Sequence, residues 1–289
     1  MPHRINLLHN ISDKAFDKKA SDNYQLSIQL SLDGFSFCVL DHSQLKFISL
    51  QAFDFQYINS AGQFNAAIEQ LITTNELLSL PYNKIIALYE TNKSTLIPSA
   101  FYDRENHSNA LEINHRIELG ETTASDHLPI LEAYNVWVLP QIIENTVKKH
   151  FPDAPLHLHT SILIEQLLTL TKNHNNHEVF VHVRKTWFDI LVISNGRLLF
   201  SNSFRYQTKE DFIYFLIYVL EQLELNPETV QLTFLGLILK RSQLYDITVK
   251  YIRNVSFIQK PADFKFSYVF DEIPNHFYFN LFNHFRCEL

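Results

Sequence analysis

Glycine is scarce in this chain. There are five in 289 residues, where average usage of roughly 7% would supply about twenty. The two closest are Gly34 and Gly62. A Walker loop or a GxGxxG fingerprint needs several glycines together, so that backbone amides can approach a phosphate. Both motifs are excluded. Cysteine is scarcer still, with Cys38 in an apolar strand-like run and Cys287 near the last residue. Two thiols make no disulfide framework, which favours a reducing compartment. The longest membrane-like run, Phe212 to Leu220, is about half of what a spanning helix needs. The opening MPHRINLLHNISDKAFDKK lacks the apolar core of a signal peptide. The expectation is a cytoplasmic protein without membrane insertion. Basic clusters are missing as well: the densest groups are Lys18-Lys19, Lys148-Lys149 and Arg184-Lys185, in a chain of net charge −7. A general nucleic-acid binder needs a basic face to neutralise phosphates, so nucleic acid is not an expected partner.

Hydrophobic residues are 46% of the chain and charged residues 19%, enough to build a sizeable core. The pattern of those residues repeats. Tyr24–Leu32, Phe35–Asp41 and Leu45–Phe53 read as strands, with Asp33-Gly34 at the first connection. Ser60 and Gln63 match an S-x-x-Q capping box. Phe64, Ala67, Ile68 and Leu71 then fall on one helix face, and KIIALY at Lys84–Tyr89 reads as a buried strand. The second half follows the same plan. Glu178–Arg184, Trp187–Ser194 and Arg197–Phe204 are strand-like, and Asn195-Gly196 is a hairpin signal. Thr208 and Asp211 form a second capping pair. Phe212, Phe215, Leu216, Val219, Leu220 and Leu223 make an apolar stripe, whose burial contributes on the order of 9–18 kcal/mol before entropy is subtracted. Val230–Leu235 is the fourth strand.

Beyond the fourth strands the halves diverge. The first carries a polar insertion, residues 92–135, then a strand at Val136–Leu139, helices at Gln141–Phe151 and Ser161–Thr171, and a short strand between them at Leu156–His159. The second carries a helix near Ser242–Ile252 and a strand at Val255–Gln259. In the aromatic tail, alternation of Phe264, Phe266, Tyr268 and Phe270 predicts an extended segment, and Phe277, Leu281, Phe282 and Phe285 a final helix. The predicted organisation is a loosely ordered segment at 1–20, a first lobe at 21–174 with the insertion at 92–135, and a second lobe at 175–289. The polar run Thr171–Glu178 is the expected hinge.

A doubled β-β-β-α-β-α unit of mixed sheets resembles the two-lobed, ribonuclease H-like fold of actin, Hsp70 and sugar kinases. More narrowly, the chain resembles a family of uncharacterised Bacteroidetes proteins with a degenerate actin-like ATPase fold. The features that carry the resemblance are LSIQLSLDGFSFCVLD, TLIPSAFYD, NVWVLP and the terminal RCEL. Working members of the wider class place an acid and glycines in the first hairpin of each lobe, to hold Mg²⁺ and grip phosphates. Here the first hairpin offers Asp33, Gly34 and Ser36. The second offers Arg184, Lys185 and Thr186, with neither glycine nor acid. The adenosine-binding glycine pair is reduced to Gly236 between Leu235 and Leu237. These seven residues mark the candidate inter-lobe cleft, and their departures from the pattern imply that ATP hydrolysis is lost.

Other chemistry finds little footing. No G-x-S-x-G elbow is present. Fourteen histidines include the pair His157-x-His159, expected on one strand face, with His174 and His177 nearby, but no His-Glu-x-x-His spacing or cysteine partner accompanies them. No metal, cofactor or catalytic residue is therefore assigned. The first reading is a non-catalytic binding or scaffold protein whose partner is another protein, met through the insertion or the aromatic tail. The alternative is a divergent nucleotide-binding protein that takes ATP with Mg²⁺ and regulates an assembly partner.

Overall fold

The computed structural model describes residues 4–58 and 60–286. Tertiary contacts divide the chain into two units: Met1–Ile162 with Pro261–Glu272 and Asn280–Leu289, and Leu163–Lys260 with Ile273–Phe279. In the first unit β1 (Arg4–Ser12), β2 (Tyr24–Ser31), β3 (Gly34–Asp41) and β4 (Lys46–Gln56) precede α1 (Ala61–Thr74) and β5 (Lys84–Tyr89). Then come β6 (Ser94–Pro98), α2 (His107–Glu112), β7 (Glu121–Leu128), β8 (Ala133–Pro140), α3 (Gln141–His150), β9 (Leu156–Leu158) and the start of α4 (His159–Thr171), most of which belongs to the second unit. The second unit is built from β10 (His177–Val183), β11 (Trp187–Ser194), β12 (Arg197–Arg205), α5 (Lys209–Gln222), β13 (Gln231–Gly236), α6 (Gln243–Tyr251) and β14 (Asn254–Phe257). Two short elements, β15 (Lys265–Phe266) and α7 (Phe279–Asn283), follow.

Both units use one strand order. The first sheet runs β4-β3-β2-β5-β9 and the second β12-β11-β10-β13-β14. In each, the first three strands pair antiparallel and the other two join in parallel. Register repeats as well: Gln25–Leu30 lie opposite Lys84–Tyr89, and Glu178–Val183 opposite Gln231–Gly236. Parallel neighbours need a crossover, which α1 and α5 supply. Ser60 caps α1 by accepting from the Gln63 N–H, and the predicted stripe Phe64, Ala67, Ile68 and Leu71 is buried. Thr208 and Asp211 complete both halves of the capping box on α5. Phe212, Leu216, Val219 and Leu220 are buried there, while Phe215 and Leu223 are partly so.

Two expectations need correction. The segment expected to be loosely ordered contains β1, which runs antiparallel to β4 with Arg4 opposite Gln56 and Ser12 opposite Ser49. The insertion, for which no elements were predicted, contributes β6 and β7, which join β8 in a separate sheet of order β6-β8-β7. The run Phe264–Phe270 of the aromatic tail is not extended throughout, whereas the expected final helix is present in part as α7. Only Lys265–Phe266 forms a strand, parallel to Lys46–Phe47, and the chain then tightens into a 3-10 turn at Tyr268–Glu272. The reason lies in Phe47. Its ring meets those of Phe264 at 5.1 Å, Phe266 at 5.0 Å, Phe282 at 4.9 Å and Phe285 at 5.7 Å. Aromatic pairs at such separations gain energy beyond their buried area. The tail is thus spent on the core of the first unit, with Phe270 and Phe282 fully buried. Cys287 lies outside the described residues.

Two predictions follow from this packing. Replacing Phe47 with Ala should cost about 3–5 kcal/mol in urea unfolding, and a loss under 1 kcal/mol would show that the cluster does not hold the tail. The second concerns acid. The Asp13 carboxylate accepts from the Ala15 N–H at 2.9 Å and from Lys46 Nζ at 2.8 Å. These bonds, the backbone one foremost, lower its pKa to about 2. A carboxyl depressed in the folded state adds stability that is complete above its unfolded value and is lost as pH falls through the folded one. Asp13→Asn should therefore flatten the decline in melting temperature between about pH 4 and pH 2. An unchanged acid limb would contradict the assignment.

Candidate functional site

The first hairpin gathers Asp33, Gly34 and Ser36. Asp33 lies in the turn that joins β2 to β3, where Ser31 pairs with Gly34. Its N–H donates to Ser31 Oγ at 3.0 Å and its carbonyl accepts from the Phe55 N–H at 2.9 Å. A Cβ on Gly34 would stand 2.3 Å from the Phe53 carbonyl oxygen. Glycine is required there for β4 to pass close by, whatever else the hairpin does. Ser36 is buried in β3, opposite Gln29.

The second hairpin brings Arg184, Lys185 and Thr186 together at the turn between β10 and β11, and Gly236 beside them through its pairing with Val183. Arg184 donates its N–H to the Trp187 carbonyl at 2.9 Å and accepts the Tyr206 hydroxyl on its own carbonyl at 2.7 Å. Its side chain is buried, whereas Lys185 and Thr186 are exposed. Burial raises the pKa of the Tyr278 phenol, an effect that the charge of Arg184 opposes.

Gly236 has a φ of +83°, and a Cβ there would stand 2.4 Å from the Val183 carbonyl oxygen and 2.9 Å from His182 Cδ2. The turn that follows spends its amides on the protein itself. The Gly236 N–H donates to the His276 carbonyl at 2.9 Å, Leu237 to Val183 at 2.8 Å and Ile238 to Gly236 at 3.0 Å. His276 is fixed in turn, its Nε2 donating to the Ile238 carbonyl at 2.6 Å. Burial lowers its pKa, and that bond opposes the shift.

One cluster escaped the sequence reading. His182 Nδ1 lies 3.0 Å from Asp189 Oδ2, and the Ser203 hydroxyl donates to the other carboxylate oxygen. His182 and Asp189 are both buried, on adjacent strands and directly opposite in register. The carboxylate orients the imidazole through Nδ1. The serine sits on the carboxylate rather than on the imidazole, so this is not the order of a nucleophilic triad. Two ionisable residues inside the apolar runs VFVHV and WFDILVIS were the available signal. The register places the cluster at the positions that Gln29 and Ser36 hold in the first unit. The histidine pair of the sequence does not share a strand face: His157 is in β9 and His159 opens α4. His157 Nδ1 instead meets Asp126 Oδ1 at 3.0 Å, and His174 meets Glu178 at 2.6 Å.

Residues 13–255 match the model of DUF3822, described as a protein of unknown function. This chain belongs to the DUF3822 family. The DUF3822 chain is similar to a Bacteroides thetaiotaomicron protein with an actin-like ATPase fold and unknown function. That likeness covers 94% of this chain and 99% of that one, at 23% identity and a TM-score of 0.79. A chain of the PilM-PilN type IV pilus biogenesis complex is similar over 91% of this chain and 98% of its own, at 11% identity and a TM-score of 0.57. No curated protein matches in sequence. The DUF3822 chain therefore has an actin-like ATPase fold of two lobes built on mixed sheets. Among its described residues no helix is long and apolar enough to cross a membrane.

Gly236→Ala should cost at least about 1–3 kcal/mol from the left-handed backbone alone, with the contact on Val183 adding to it. Chemical unfolding measures this, and a neutral substitution would mean that the turn is open enough to relax.

Proposed function

We propose that this protein is a non-catalytic binding or scaffold protein with a degenerate actin-like ATPase fold, and that its partner is another protein. One observation carries the reading: the turn after β13 is closed by the protein's own groups. A nucleotide held by this fold needs backbone that can come close and amides that can be donated. At Gly236 the close approach is already made by Val183 and His182, and the amides of Gly236 and Leu237 are donated to His276 and Val183. Leu237 and Leu239, both exposed, flank the turn with aliphatic bulk. The likeness to a chain of the PilM-PilN complex adds support from a protein of this fold that works in an assembly.

The competing reading, ATP with Mg²⁺ held by Asp33, Ser36, Lys185 and Thr186, draws on the exposed cation and hydroxyl at the tip of the second hairpin. A thermal melt with and without millimolar Mg-ATP separates the two. Nucleotide at 100 times its dissociation constant would oppose unfolding by about 2.7 kcal/mol. The scaffold reading predicts an unshifted transition, and a clear rise in melting temperature would overturn it.

A further inference from the structure

The two sheets differ at one equivalent edge. In the first unit the outer edge of β4 carries β1, an antiparallel strand. The equivalent strand of the second unit is β12, and among the described residues it pairs only with β11. An open strand edge presents a row of amides and carbonyls to any extended chain that can reach it. On β12 the Ser203 N–H donates at 2.8 Å to the side chain of Asn202, a local bond of the kind that serves an amide lacking a strand neighbour.

Side chains around this edge have the character of a contact surface. The register breaks between Val192 and Ile193, so Leu199 has no partner across the ladder and stands 52% exposed. Phe200 stacks on Phe204 at 6.4 Å, and Phe204 on Phe215 of α5 at 4.9 Å. Tyr214 continues the row at 5.4 Å from Phe215, and Tyr218 stacks on Tyr214 at 6.2 Å. Both tyrosines are exposed, at 62% and 45%. Natural edges are commonly blunted by charge and by bulges, yet that purpose does not call for an outward leucine beside a shelf of rings.

Charge selects the occupant. Arg197 and Arg205 bracket β12, both exposed, and neither forms an ion pair among the described residues. They are about 27 Å apart along an extended strand. The strand itself, RLLFSNSFR, carries no acid. A second copy pairing antiparallel would set Arg197 against the partner's Arg205, like charges face to face, which disfavours self-association. We propose that β12 is a docking edge for an extended segment of a partner protein, added as a sixth strand, with alternating apolar side chains and an acidic residue near each end. This deepens the scaffold reading and rests on it.

The test uses the full chain and two fluorescein-labelled nonapeptides of alternating valine and threonine, one ended by aspartate on both sides and the other by lysine. Fluorescence polarisation should show the acidic peptide binding at least tenfold tighter than the basic one. Arg197→Glu combined with Arg205→Glu, at exposed positions that leave the core intact, should reverse the preference while the melting temperature holds. No preference in the parent chain, or the same preference in both proteins, overturns the proposal and leaves the scaffold reading standing. Stabilisation by Mg-ATP with the peptide preference intact would instead sink the scaffold reading alone.

Discussion

Parallel pairing of the first and fourth strands organises each lobe. β2 pairs with the whole of β5, and β10 with the whole of β13, in the same register. Such pairing forces a crossover helix to one face of the sheet and sets a turn just past the fourth strand. At that turn the two sheets differ in residue type. The register equates Tyr89 with Gly236, each at the last pair before the chain leaves the sheet. Tyr89 is buried in the first core, where burial raises the pKa of its phenol. Gly236 is the residue that lets the second lobe close its turn onto β10.

That closure also recurs in hydrogen bonding. The Glu90 N–H reaches the Leu30 carbonyl at 2.9 Å and the Leu237 N–H reaches Val183 at 2.8 Å, at matching positions. In both lobes the backbone after the fourth strand is committed to the first strand. The glycine that survives at 236 therefore has a sufficient explanation in packing alone. The same holds for Gly34, whose missing Cβ makes room for the Phe53 carbonyl. Both glycines are required by strand geometry.

The architecture was largely legible in sequence because two strong local signals coincided. Strand-like apolar runs were followed by identifiable helix caps, Ser60 and Thr208, and both caps form. What stayed hidden lacked such signals. The strands β6 and β7, STLIP and ETTASDHL, are half-exposed and polar, so no apolar run announces them. In β1, Leu7 and Leu8 are adjacent and both exposed, which is not the alternation of a core strand. The tail was misleading for another reason. Its rings converge on Phe47, more than two hundred positions earlier, and only tertiary structure brings them there. The buried pair His182 and Asp189 was visible as two ionisable residues in apolar strands, but its partnership depends on a hairpin register that residue types alone do not settle.

That the turn after β13 spends its backbone amides on the protein itself is the claim on which the rest depends. Residue-resolved hydrogen exchange at Gly236 and Leu237 tests it most directly. The account predicts slow exchange at both amides, comparable to the centre of β10, and no further slowing when Mg-ATP is added. Fast exchange in the protein alone, slowed by Mg-ATP, would contradict it.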